Sequence, residues 1–439
     1  MSTHHAAASD DYSLTRSQWF ATIAGLSGSF VAIGLARFAY TPLLPSLIGQ
    51  HWFTASEAVT LGAANFAGYL AGAVLGRPVA ASISNRSSLR LFMAVATLAF
   101  FACAFPLSTT WFFVWRFLSG LAGGAIMVLV ATTILPHIPT KRRGFVSGMI
   151  FLGLGLGIAA SGTVVPELLL IGLKETWIGL GVLSLLLTAV SWFGWPNTEP
   201  QAAGAPKQVH SHKSARGPLL ILYSQYAANA LGLVPAMILL VDYIVRGLNG
   251  SAQLGAAYWI LYGIAAITGP VLCGFAADRI GFRSSYRIAL LLQGVAGLLL
   301  ATSSSAVALI VATVILGIFT PGIVPLVLGR TQDIVRHDHA AQRQAWGHAT
   351  TAFALFQALG GYGYSYLFAH SGQNYALVFA IGAIAVALAL LLDLIVPDRT
   401  SRQGGERLQT PDRLLPANRN EQTPHPEAGA RPSHTGARK

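Results

Sequence analysis

The chain has 439 residues, of which 54% are hydrophobic and only 10% charged. Soluble domains carry about 25% charge, so this composition excludes an ordinary water-soluble globular protein. The formal net charge of +12 does not point to nucleic acid, because the basic residues lie in loops and in the tail rather than on one packed face.

In chain order, a polar start with His4, His5, Asp10 and Asp11 lacks the basic-then-apolar form of a cleaved signal peptide. The first apolar run is therefore expected to stay as a permanent span. A bilayer core of about 30 Å needs about 20 helical residues. Runs of that kind occur at 19–48, 59–76, 89–107, 110–135, 144–165 and 177–195. A polar stretch follows at 196–217, and six further runs at 218–245, 252–277, 286–302, 306–328, 345–369 and 375–396. Helices suit these runs, because lipid satisfies no backbone groups and a barrel strand is half as long. The expected architecture is all-α with twelve transmembrane helices in two six-helix halves. The expected domains are an N-terminal tail (1–18), halves at 19–196 and 218–396, a linker at 197–217 and a disordered tail at 397–439. Cys103 and Cys273 both fall inside apolar runs and form neither a disulfide framework nor a metal cluster.

Charge placement tests the count of spans. With alternate loops assigned to the cytoplasm, that side holds 24 of the 28 Lys and Arg. The other side holds Lys174 and Arg246, while Arg37 and Arg116 lie within spans. This is the positive-inside pattern for a multi-pass bacterial inner-membrane protein with both termini cytoplasmic. Glycines repeat at related offsets: Gly34 with Gly232, Gly76 with Gly274, Gly144 with Gly347 and Gly157 with Gly360. Parallel repeats of this kind place a substrate site between the halves near the midplane.

The segment Gly274-Phe-Ala-Ala-Asp278-Arg279-Ile-Gly281-Phe-Arg283 resembles the loop motif of the major facilitator superfamily, Gly-x-x-x-Asp-Arg-x-Gly-Arg. The segment from Gly34 through Arg37, Tyr40 and Pro42 to Pro45 resembles the signature of its YbfB/YjiJ-type bacterial branch. Leu233-Val-Pro235 with Asp242 to Leu248 resembles span 7 of that branch. The resemblance covers about 19–396 and implies a secondary transporter working by alternating access. It also implies that Gly274, Asp278, Arg279, Gly281 and Arg283 form a conformational latch on one side of the cycle. From chemistry alone, Asp278 can cap a helix N-terminus, and Arg279 and Arg283 can pair with Asp278 or with acidic lipid. In the first half Ala80 and Ala81 stand where that acid and arginine are expected, so the latch is single-sided.

Charges inside the membrane carry the functional reading. A centred Arg costs roughly 2.5–3.5 kcal/mol, so Arg37 must face protein or a water-filled cavity. Either it contacts an anionic substrate through its planar fork, or it bonds helix carbonyls. In anion-carrying members of the superfamily an Arg also precedes the span-1 Pro by eight residues, as Arg37 precedes Pro45. Arg116 to Gly120 resembles the superfamily's Arg-x-x-x-Gly motif, linked to proton movement in proton-coupled members. No acid occurs between Glu57 and Glu167, which favours a structural Arg116. The glycines of span 5 resemble those of drug antiporters without the usual Pro, and helix packing also explains them.

Asp242 is either a proton carrier or one half of an i,i+4 pair with Arg246. His348 has a side chain suited to protonation near neutral pH or is a satisfied core histidine. Tyr40, Asn65, Asn229, Tyr258, Tyr262 and Gln357 are the remaining candidates for lining a substrate cavity. The expected function is carriage of a small organic anion, with protons as a candidate coupling ion. Drug or metabolite efflux is the alternative. No cofactor, metal, nucleic acid or second subunit is expected. A membrane-embedded enzyme is disfavoured, because the spans hold no HExxH, no Cys/His cluster and no paired acids. The absence of a P-loop argues against an ATP-driven pump.

Overall fold

The computed structural model describes residues 14–139, 142–197, 213–335 and 339–395. Most of the polar linker (198–212) and the tail from Pro397, both singled out above, lie outside the described residues.

Twelve helical segments follow one another among the described residues. They are α1 (Arg16–Gly49), α2 (Ala55–Ile83), α3 (Asn85–Cys103), α4 (Thr109–Ile134), α5 (Arg143–Leu169) and α6 (Leu173–Ser191), then α7 (Lys213–Asp242), α8 (Ala252–Ile280), α9 (Phe282–Thr302), α10 (Ala306–Ile334), α11 (His339–His370) and α12 (Tyr375–Ile395). Eleven are long and apolar enough to cross a membrane. α11 is the exception: its 32 residues exceed spanning length, but its sequence is more polar. Several helices outrun the apolar windows read from sequence. α2, α8 and α10 each have 29 residues, or about 43 Å at 1.5 Å per residue, so they project beyond a 30 Å core.

The starts of these helices are written locally. Thr15 with Gln18 and Thr54 with Glu57 form capping boxes. Ser84, Ser108, Ser251 and Ser305 each accept a backbone N–H at the start of a helix. These oxygens satisfy donors that a helix end otherwise leaves unpaired.

The helices pack as two bundles, α1–α6 and α7–α12. Within the first, α2 and α4 approach backbone to backbone. A Cβ on Gly120 would sit 2.0 Å from the Asn65 carbonyl oxygen, so close packing demands that glycine of the Arg-x-x-x-Gly segment.

The bundles meet along α1–α7, α2–α11 and α5–α8. Call the ends bearing the arginine-rich turns the basic side, and the other the neutral side. Among the described residues, three cross-bundle hydrogen bonds sit toward the neutral side or mid-length. Thr41 donates to the Met237 carbonyl, Thr60 meets Ser365 at 2.6 Å, and Trp259 Nε1 donates to Ser161 Oγ at 2.9 Å. Ile260 and Ile267 of α8 lie against Gly162 and Gly155 of α5. Toward the basic side, Gly144, Gly148, Gly274 and Gly347 have nothing within 4 Å of where a Cβ would stand. These contacts seal the two bundles together on the neutral side, while the four basic-side glycines face open space.

The seal gives a prediction. A Cβ on Gly263 would meet the Ala159 backbone nitrogen at 2.4 Å, and overpacking costs about 1–3 kcal/mol. Gly263→Val should therefore disfavour this sealed arrangement. A cysteine replacing Thr60, in a background lacking Cys103 and Cys273, should label faster from the neutral side; unchanged labelling would contradict the seal.

Candidate functional site

α1 is irregular where it matters. A π-helical turn runs from Phe30 to Leu35, and regular helix resumes at Tyr40 after a break at Ala39. The wide turn lies where Gly34 crosses Gly157 of α5. An inserted residue rotates everything after it, so the turn sets the direction of Arg37.

Arg37 points toward α2. Its Nε donates to Asn65 Oδ1 at 3.4 Å, and its guanidinium carbon stands 4.2 Å from the Tyr69 ring centre and 5.0 Å from that of Phe66. Its Nη2 is buried with no partner. Asn65, 1% exposed, spends its amide on Ser119 Oγ at 3.0 Å and on the carbonyls of Ala36 and Arg116. Arg116 is buried, donates from Nη1 to the Ala36 carbonyl at 2.7 Å and stacks 4.4 Å from the Tyr40 ring centre. Its Nε has no partner, nor has the indole N–H of Trp177, and both residues line one narrow void. Tyr40 donates to the Ala58 carbonyl at 2.7 Å. Arg37, Tyr40, Asn65 and Arg116 are thus brought together. Neither arginine pairs with an acid among the described residues. The two guanidiniums, facing aromatic rings and holding unused donors, can accept an anion.

The other sequence candidates are dispersed. Tyr262 bonds Thr320 and stacks on Trp259 at 4.9 Å, beside Phe38 of the other bundle. Gln357 reaches the Met237 sulfur at 3.6 Å and leaves Oε1 buried without a partner. Both face the seam between bundles. Tyr258 bonds the Ala306 carbonyl near the neutral end, and Asn229 bonds Gln293 of α9 within its own bundle. Those two satisfy neighbouring helices rather than joining Arg37.

Asp242, 0% exposed, pairs with Arg246 at 3.1 Å and accepts from Tyr375 at 2.6 Å. The i,i+4 pair is therefore formed. His348 is exposed on the basic-side part of α11, edge-on to Tyr223 at 6.1 Å.

The latch residues take partners of their own. Gly281 has φ +81°, a conformation that suits glycine in the tight turn between α8 and α9. Asp278 is exposed and bonds no described residue, and Arg279 folds over the Phe275 ring at 4.1 Å. Of the partners open to Arg283 from sequence, Asp278 is not the one it takes. Arg283 instead joins Asp393 at 3.3 Å, because the first turn of α9 faces the end of α12 rather than its own turn.

Asp393 was not a sequence candidate. It is 2% exposed and takes Arg283, Arg287 and Arg330 together with Gln225 Nε2. Arg330 is 2.8 Å from its Oδ1. A signal was present: Arg86-Ser-Ser-Leu-Arg90 recurs as Arg283-Ser-Ser-Tyr-Arg287.

Comparison with known proteins agrees with this architecture. The xylose transporter XylE of E. coli, in a partially occluded inward-open conformation, superposes with a TM-score of 0.67 at 17% identity, covering 87% of this chain and 97% of that one. A D-xylose-proton symporter gives 0.66 at 15%, with coverage of 87% and 98%. Among curated relatives, a gallate transporter of Pseudomonas putida is 25% identical over 54% of this chain and 61% of its own length. A niacin transporter and a 4-hydroxybenzoate transporter of Acinetobacter baylyi are each 27% identical, over 31% and 35% of this chain and 31% and 34% of their own lengths. The chain thus spans less than two thirds of each of these three relatives. The family described as "Uncharacterised MFS-type transporter YbfB" matches residues 29–394. With twelve helices in two bundles and a match across nearly all of them, the chain belongs to this family of major facilitator transporters, as a multi-pass membrane protein.

Proposed function

We propose that this protein carries a small organic monocarboxylate across the bacterial inner membrane by alternating access, as a monomer with both termini in the cytoplasm. The observation that carries the proposal is the Arg37–Arg116 pair: two cations of the first bundle, on α1 and α4, with unused donors and no acid paired to them among the described residues. An anion would supply the missing charge, and a carboxylate fits a guanidinium fork. Phe66 and Tyr69 beside Arg37 favour a substrate with a flat ring. The substrates for which the three relatives are named, gallate, niacin and 4-hydroxybenzoate, support that choice of class.

On this reading Asn65 is a positioning residue for both arginines. Tyr40, Tyr262 and Gln357 serve the path along the seam. With the basic side cytoplasmic, the described conformation opens inward. Asp278, exposed in it, engages only when that side closes.

The test is uptake into liposomes. Labelled 4-hydroxybenzoate, gallate and xylose are offered to the reconstituted protein. Carboxylate uptake above empty liposomes, without xylose uptake, supports the proposal; uptake of xylose alone would refute it.

Proton coupling belongs to the same proposal. Asp242 and His348 are the titratable candidates on α7 and α11. Asp242 is occupied by Arg246 and Tyr375, whereas His348 stands exposed on the open side. His348→Gln should therefore abolish accumulation driven by a pH gradient while sparing counterflow exchange. Asp242→Asn should instead lower stability. Wild-type uptake indifferent to the pH gradient would remove proton coupling altogether.

A further inference from the structure

The repeated Arg-Ser-Ser-x-Arg segments open α3 and α9 in the same register. Ser88 and Ser285 are both buried, at 0% and 4% exposure, so each segment roots in its bundle the same way. That leaves the paired arginines, four residues apart, on one helix face. The second arginine also plays the same part in each half. Arg90 Nε donates to the Trp192 carbonyl at 2.8 Å, and Arg287 Nη2 donates to the Asp393 carbonyl at 2.9 Å. Trp192 is thus the counterpart of Asp393.

The halves differ in what the arginines hold. In the second half the carboxylate of Asp393 sits between Arg283 and Arg287. In the first half the corresponding side chain is an indole, with the Arg90 guanidinium 4.9 Å from its ring centre. A ring face compensates one cation in part. It does nothing for Arg86, whose Nε is buried with no partner. The described acids of α1–α6 are Glu57, Glu167 and Glu175, all toward the neutral side. The same motif therefore holds an anion in one half and lacks one in the other.

We propose that Arg86 and Arg90 bind a phosphoryl anion at the basic-side membrane surface, as the headgroup of an anionic phospholipid or as free phosphate. Its oxygens take the place that the Asp393 carboxylate holds in the second half. An anion is favoured there because the N-terminus of α3, 19 residues long, adds its own positive partial charge to that of the two arginines.

The test titrates detergent-purified full-length protein with dihexanoyl phosphatidylglycerol, dihexanoyl phosphatidylcholine or inorganic phosphate. Bound ligand is counted by native mass spectrometry and thermal stability is followed alongside. Phosphatidylglycerol is expected to bind and stabilise, and phosphatidylcholine is not. Each arginine near a membrane surface contributes about fivefold in affinity, so R86Q should weaken binding about fivefold and R86Q/R90Q about thirtyfold. R86K, which keeps the charge, should recover most of the loss if folding is intact. A response to phosphate equal to that of the lipid supports the site with the free ion as occupant. Glu199, the acid nearest to Trp192 along the chain, lies outside the described residues. Equal binding by wild type and E199Q is expected. Equal binding of both lipids, wild-type affinity in R86Q/R90Q, or binding seen only in E199Q would each overturn the proposal.

Discussion

Asp393→Asn is expected to lower the unfolding free energy by about 3 kcal/mol, the low end of the cost of breaking a buried ion pair. The side chain is 2% exposed and pairs with Arg283, Arg287 and Arg330. Asparagine keeps the shape and most hydrogen-bonding positions but removes the charge, leaving three guanidiniums together at low dielectric. The arginines are 12–33% exposed, so water screens part of their repulsion and holds the figure at the low end. Arg330→Gln should cost less, since Arg283 and Arg287 remain to neutralise Asp393. Chemical unfolding in detergent reads both. Equal stability of wild type and Asp393→Asn would mean that the cluster is solvated.

Arg37→Gln should weaken carboxylate binding by about 2–5 kcal/mol, the range for truncating one partner of a buried charged contact. Arg37→Lys keeps the charge but loses the fork and the flat stacking on Tyr69, so it should recover only part. Stability should move little in either variant. The hydrogen bond of Arg37 to Asn65 is long, at 3.4 Å, and Asn65 keeps its bonds to Ser119 and to α1. Binding at wild-type strength with a lowered melting point would make Arg37 a structural residue.

Much of this molecule was written in its sequence. Apolar run length is a property of single segments, and it sufficed for twelve helices; the family was legible in the contiguous segments Gly274–Arg283 and Gly34–Pro45. The Asp242–Arg246 pair was legible for the same reason, since its partners stand four residues apart. What escaped depends on distant partners. Asp393 reads as a charge near the end of an apolar run; only folding brings α9, α10 and α7 around it. The π-helical turn at Phe30–Leu35 leaves no trace in hydrophobic periodicity, yet it aims Arg37. Asn229 and Asn65 are the same residue type in comparable runs. One bonds a helix of its own bundle, and the other supports the arginines.

The central claim is that the arginines await a carboxylate. Isothermal titration with benzoate, 4-hydroxybenzoate and gallate, each set against its neutral amide, tests it most directly. Amide and acid share ring and size and differ in charge. The account predicts binding of at least one carboxylate, at least tenfold weaker binding of its amide, and loss of that difference in Arg37→Gln. Amides that bind as tightly as their acids, or a preference that survives in Arg37→Gln, would contradict it.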